Sequence, residues 1–195
     1  QEVWRSVGGQ QAVLQGFLPQ DFAELRSCEH GQPLHVFLAV TGVLEHNAMT
    51  LVAKLLVNGL SECPLLRPAD VLAVNFGCVG AYEGQRLKIG DAFFVDEVRH
   101  YDVDLPLTDV WHDRVFRLPR PRDDPMPGVV CTTGGRFTKG QPGCDCEDME
   151  LYGLTSLCQG LGVTLCSLKY VSNFCNDSGP EDYQRNVERV RASAE

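Results

Sequence analysis

Two pairs of residues carry chemistry that their spacing can bring together: Met149-Glu150 and Ser172-Asn173. The first puts a thioether beside a carboxylate at the start of a helical stretch. The second puts a hydroxyl and an amide at the end of an apolar run. A carboxylate accepts hydrogen bonds from ligand hydroxyls, whereas an amide offers both donors and an acceptor. The stretch from Cys146 to Asn173 reads as a helix followed directly by a strand. Leu154, Leu157, Cys158 and Leu161 recur at helical spacing, Gly160 and Gly162 stop the helix, and Val163 to Val171 is a β-rich apolar run. In an open α/β sheet, ligands lie outside the carboxyl ends of strands, where helix starts converge, so both pairs are expected at one pocket. A second feature is Gly77-Cys78-Val79-Gly80, after the apolar run Asp70 to Phe76. Its glycines let backbone approach a ligand, and its amides can hold an anion or a water.

The elements around these residues follow from the same patterns. Glu2 to Val7 is compatible with helix, Val13 to Phe17 and Glu24 to Cys28 with two antiparallel strands, and Leu34 to Val40 with a stronger third. A helix from about Glu45 to Leu60 carries Ala48, Leu51, Val52, Leu55 and Leu56 on one face. Asp70 to Phe76 is expected as a buried strand, Ala92 to Val98 as another, and Gly128 to Thr133 as a further one. Thr108 to Pro127, rich in Pro, Arg and Asp, reads as a long surface excursion with the option of covering a pocket. Gly179-Pro180-Glu181-Asp182 opens a closing helix, with Pro and acidic residues near its first turn. The expected fold class is α/β, three-layer αβα around a central mixed sheet, in a single domain over 1–195.

Composition narrows the partners. The chain has 195 residues, is 44% hydrophobic and 22% charged, and carries a net charge of -9. That is ordinary globular composition, and no basic stripe compensates the negative charge, which argues against nucleic acid. Arg114, Arg117, Arg120 and Arg122 alternate with Pro and are followed by Asp123-Asp124, the pattern of a solvated loop. No apolar run approaches the roughly 20 residues of a membrane span, so no membrane is expected. Nine cysteines, several inside apolar runs, fit a reduced cytoplasmic chain. Cys144-Asp145-Cys146 lacks a second spaced pair of ligands, so neither metal nor cofactor is expected.

At these residues the chain resembles the nucleoside phosphorylase and nucleosidase superfamily, which cleaves N-glycosidic bonds of ribonucleosides. Met149-Glu150 matches the pair that holds the ribose there, the Glu accepting from the 2′- and 3′-hydroxyls. Ser172-Asn173 matches a Ser-Asp that contacts the purine, with Asp replaced by Asn. The resemblance extends to the Gly77-Cys78 stretch, to Thr41-Gly42-Val43 with Leu44 in place of a second glycine, and to Asp96-Glu97-Val98-Arg99. It implies a nucleoside phosphorylase-like fold, a homodimer and a small-molecule purine nucleoside as ligand. It also implies a general base just after a first strand. The chain begins Gln1-Glu2-Val3, as if that strand had been removed, so the base carries over onto Glu2, whose other reading is a solvated terminal residue. Phe137 corresponds to an aromatic that stacks on the purine, or is a core Phe under its loop. Asp96, Glu97 and Arg99 read first as a structural ion-pair group near a dimer contact and second as catalytic, and His100 first as an interface histidine and second as a base.

Two substitutions bear on the reaction. Phosphorylases of this superfamily grip phosphate with an Arg where this chain has Asn75, and phosphate needs cationic partners, so water is the expected nucleophile. Asn173 has no titrating proton and cannot act as a general acid, but its amide can donate to the acceptors N7 and O6 of a 6-oxopurine. Ser-Asn there and Gly-Pro-x-Asp before the last helix resemble futalosine hydrolases, which release hypoxanthine from futalosine in menaquinone biosynthesis. Methylthioadenosine/adenosylhomocysteine nucleosidase, a phosphorylase, and a binding or storage protein on the same fold are the alternatives.

Overall fold

The computed structural model of the chain describes residues 10–12, 22–29, 32–39, 41–62, 67–101, 115–122, 125–136 and 138–193. The expected helix Glu2 to Val7 and strand Val13 to Phe17 lie outside these residues. The chain divides into two compact units, Gln1–Gly42 with Arg189–Glu195, and Val43–Glu188. In the first, β1 (Gln10–Ala12), β2 (Phe22–Glu29) and β3 (Gln32–Ala39) form an antiparallel sheet in the order β1-β2-β3. The apolar and β-branched residues of 22–29 and 32–39, above all the run Val36-Phe37-Leu38, are the strand signal that the sequence carries.

The second unit holds α1 (Glu45–Glu62), β4 (Leu72–Ala81), β5 (Ala92–Phe94), β6 (Glu97–His100), β7 (Phe116–Arg117), β8 (Val130–Thr133) and β9 (Cys146–Asp148). It closes with α2 (Leu151–Leu161), β10 (Thr164–Phe174) and α3 (Gly179–Ser193), the last continuing past the unit's end. Its sheet is mixed, in the order β5-β10-β4-β9-β8-β6-β7. β10 runs parallel to β4, and β6, β8 and β9 run parallel to one another, while β9 meets β4 antiparallel through Gly80↔Glu147 and Ala81↔Cys146. Val79, Ala81, Phe93, Val95, Val98, Cys131, Leu151 and Val171 form the core, each at most 2% exposed. α2 ends at Gly162, which takes φ 72 and whose N–H bonds to the carbonyls of Cys158 and Gln159, whereas Gly160, also expected to stop the helix, lies within it.

Three further expectations are corrected. The run Ala92 to Val98 is two strands, because the Asp96 carboxylate accepts the N–H groups of Gly128 and Val129 and the Arg120 guanidinium, turning the chain between them. β5 then pairs with β10 at one end of the strand order and β6 with β8 near the other, so the sheet curls. Asp70 to Phe76 is not buried: Leu72, Val74 and Phe76 are 61%, 58% and 71% exposed. β9 reaches only Gly80 and Ala81, which leaves β10 as the described partner of this part of β4. The strand expected over Asp70 to Phe76 runs on through Gly77 to Gly80. The segment 108–127 is not wholly a surface excursion either, since Phe116 and Leu118 are buried in the core and Arg117 and Arg120 pair with Glu97 and Asp96.

Candidate functional site

β9 delivers Asp148, Met149 and Glu150 to the start of α2, where Glu150 is the N-cap residue. The Glu150 carboxylate is half-buried, and its Oε1 accepts the Leu44 N–H at 2.8 Å from the start of α1. Burial raises its pKa above the ordinary 4.5 and the nearby Asp148 charge adds to this, while the Leu44 N–H and Lys169 oppose it. α1 approaches this closely because Gly153 has no side chain: a Cβ there would overlap Glu45 and Met49. Glu45 also lies 3.5 Å from His100 Nε2, and His100 meets the Tyr152 ring edge-on at 5.1 Å.

Beneath Glu150 lies an ion pair that the sequence reading did not single out. Lys169 Nζ stands 2.7 Å from Asp148 Oδ2, with side chains 1% and 0% exposed. Asp148 also accepts the Thr133 hydroxyl at 2.6 Å and the Leu151 N–H at 3.1 Å, so it caps α2 as well as holding the lysine. Burial pulls the Lys169 ammonium down, but the charges of Asp148 and its neighbours outweigh this and hold it above its ordinary 10.5. The sequence signal was a lysine inside an apolar strand. Gly77, its register partner on β4, leaves it room: a Cβ there would be 3.4 Å from Lys169 Nζ. Cys78 follows, half-buried, and Lys169, the Ser172 hydroxyl and Glu150 all act on its thiol, which burial pushes up. Gly77, Cys78, Ser172 and Glu150 therefore share one neighbourhood around Lys169.

Asn173, 1% exposed, follows a register shift in β10 and pairs with Gly80. The Ser172 hydroxyl donates to its Oδ1 at 2.8 Å and its Nδ2 donates to the Phe174 carbonyl at 3.0 Å. One amide N–H is left to offer rather than two. Gly80 is required here, because a Cβ would lie 2.6 Å from Cys175 Sγ and 3.1 Å from Asn173 Nδ2. On the other flank of Gly80, the buried Glu147 carboxylate accepts Tyr82 Oη at 3.0 Å and the Thr138 N–H at 2.9 Å, with Thr132 2.8 Å from the same phenol. Nothing in the sequence marked this network.

Of the residues selected from sequence, Met149, Glu150, Gly77 and Cys78 come together with Ser172, and Asn173 adjoins Ser172. Glu2 and Phe137 lie outside the described residues. Asp96, Glu97 and Arg99 are held in ion pairs, Arg99 with Glu97 at 2.5 Å and Arg120 with Asp96 at 2.5 Å. Asn75 accepts the Ser167 hydroxyl at 3.0 Å. Among the described residues no group of three or more His, Cys, Asp or Glu side chains is placed to hold a metal. A groove lined by Phe116, Leu118, Thr155, Cys158 and Leu165 runs beside α2 and contains none of the selected residues.

No protein-family model and no curated protein sequence matches the chain. Solved structures do. The apo 5′-methylthioadenosine nucleosidase of Arabidopsis thaliana superposes with a TM-score of 0.70 at 15% identity, over 98% of this chain and 85% of that one. The 5′-methylthioadenosine/S-adenosylhomocysteine nucleosidase of Neisseria meningitidis, in complex with methylthio-immucillin-A, gives 0.67 at 18% identity over 99% and 89%. The futalosine hydrolase of Helicobacter pylori strain 26695 gives 0.67 at 15% identity over 98% and 88%. With a mixed, curled sheet that carries Met-Glu into a helix start and Ser-Asn to a strand end, the chain has the nucleoside phosphorylase/nucleosidase fold.

Proposed function

We propose that the chain is a hydrolase of purine ribonucleosides, with futalosine as the first substrate to test. The observation that carries this reading is Glu150: a half-buried carboxylate at the N-terminus of α2, fixed on one oxygen by Leu44 and backed by Asp148 and Lys169. Cleavage of a ribosyl C–N bond passes through a sugar cation. Glu150 in its ionised form binds the ribose hydroxyls and stabilises that cation, and Met149 lies against the sugar. Gly77 and Cys78 line the ribose end, Phe137 stacks on the purine, and Glu2 activates water. Asn173 holds the departing base without protonating it. Ser172 occupies its Oδ1, so the amide presents a donor, which suits an acceptor such as N7 or O6 of a 6-oxopurine. Asn75, engaged with Ser167 and uncharged, supports water over phosphate as the nucleophile.

A second reading is methylthioadenosine/adenosylhomocysteine nucleosidase, favoured by the likeness to solved nucleosidases of that kind. One N–H on Asn173 serves N7 of adenine equally well. A cytoplasmic homodimer belongs to the same proposal; the free thiols of Cys78, Cys131, Cys144, Cys146, Cys158, Cys166 and Cys175 support a reducing compartment. The test is release of free base from futalosine, methylthioadenosine and inosine, each with and without phosphate. Hypoxanthine from futalosine without phosphate is the expected result. Adenine from methylthioadenosine establishes the second reading, phosphate dependence overturns the hydrolase, and release from none of them leaves a binding protein.

A further inference from the structure

Leu44 has φ 81 and is the sole non-glycine residue with positive φ among the described residues. A left-handed backbone is unfavourable for a bulky side chain, so surrounding bonds must hold it. Both ends of its backbone are held. Its carbonyl accepts the N–H groups of Asn47 and Ala48 at 3.1 and 3.2 Å, which starts α1, and its own N–H donates to Glu150 Oε1 across 106 positions of sequence. Glu150 is fixed in turn, since its N–H and that of Leu151 point at Asp148.

The geometry points to Leu44 as a positioning residue for Glu150: its strained backbone presents an N–H that fixes Oε1 and so orients the carboxylate to receive ligand hydroxyls. Resting on the proposed nucleosidase reading, this makes the Leu44 amide part of what selects substrates with an intact ribose diol. A carboxylate has about four acceptor positions, so one N–H on Oε1 orients the group without exhausting it. The same N–H favours the ionised form that accepts hydroxyls, against burial and the Asp148 charge. A side chain at 44 makes no difference to this bond, which is why leucine can stand in a position where glycine would be unstrained.

The test replaces the Leu44 amide by an ester, which deletes the N–H and keeps the side chain. Carboxyl-carbon NMR of ligand-free protein should show Glu150 titrating at higher pH in the ester than in the natural chain. For whichever riboside the natural chain cleaves, KM should rise about tenfold, the size of one hydrogen bond to a charged group, with kcat changing less. The acid limb of KM should move to higher pH, which a merely structural role would not cause. If the ester does not fold, the Leu44 amide-proton shift in the natural chain decides: it should follow Glu150 ionisation and stop doing so in Glu150→Gln. An amide shift or a Glu150 titration indifferent to the other group overturns the inference. If the natural chain cleaves no riboside, the nucleosidase reading falls, and the two NMR measurements still decide whether Leu44 positions Glu150.

Discussion

Glu150 combines opposing demands on one side chain. Burial and Asp148 disfavour its charge, yet the proposed role needs that charge. A carboxylate whose folded pKa is raised binds more protons folded than unfolded between its ordinary and raised values, so stability falls as pH rises through that window. Ionised Glu150 thus costs stability at neutral pH. Glu150→Gln should melt at or above the natural chain at pH 7, with the difference closing as pH falls toward the ordinary 4.5, as thermal melts over that range would show. The same variant should lose at least about a hundredfold in kcat/KM, the order seen when one charge-stabilising group is removed. The natural chain's KM should carry an acid limb above the ordinary glutamate value. Unchanged turnover in Glu150→Gln or Glu150→Ala would mean that the site lies elsewhere. Met149, Glu150 and Cys78 were legible as a group because they flank a helix start and a strand. Lys169 was not, since its meaning depends on Asp148 standing opposite it, across β4, in the curled sheet.

Elements show the same division between local and distant causes. α2 and β10 were readable because helical spacing, two glycines and an apolar run are local signals. The break between β5 and β6 was not, because what turns the chain at Asp96 comes from Gly128, Val129 and Arg120. The exposure of Leu72, Val74 and Phe76 was equally hidden, for a strand's sequence does not say how far its neighbour extends. In β10 the inward row is Leu165, Ser167, Lys169 and Val171, two of them polar, while Leu168 and Tyr170 are only half-buried. Hydropathy alone would have chosen neither face. β4 offers the sharpest test at this scale. Gly80→Ala puts a methyl 2.6 Å from the buried Cys175 sulfur, an overpacking that should cost about 1–3 kcal/mol and push Asn173 aside. The double variant Gly80→Ala/Cys175→Ala should recover most of that stability in denaturant melts. Failure to recover it would mean that the glycine serves something other than room for Cys175.

For the molecule as a whole, the Asp148–Lys169 pair joins four strands and a helix: β9 and β10 carry the charges, β4 lies between them, β8 supplies Thr133, and α2 is capped by the same carboxylate. A buried pair is weak evidence of net stabilisation, because removing two ions from water costs as much as their attraction returns. Breaking it is another matter. Lys169→Met leaves Asp148 uncompensated where its side chain has no exposure, and should destabilise the protein by about 3–5 kcal/mol. Thr133 and the Leu151 N–H would still bond to Asp148, which sets the loss below that of a bare buried charge. Alkaline pH tests the pair without a mutation. A lysine whose folded pKa is raised contributes stability that is fully present below 10.5 and is lost as pH rises through the folded value. Melting temperature should therefore hold through neutral pH and fall above 10.5, and this alkaline fall should be shallower in Lys169→Met. Equal alkaline slopes in the two proteins would remove Lys169 from the role and assign the loss to groups elsewhere on the chain.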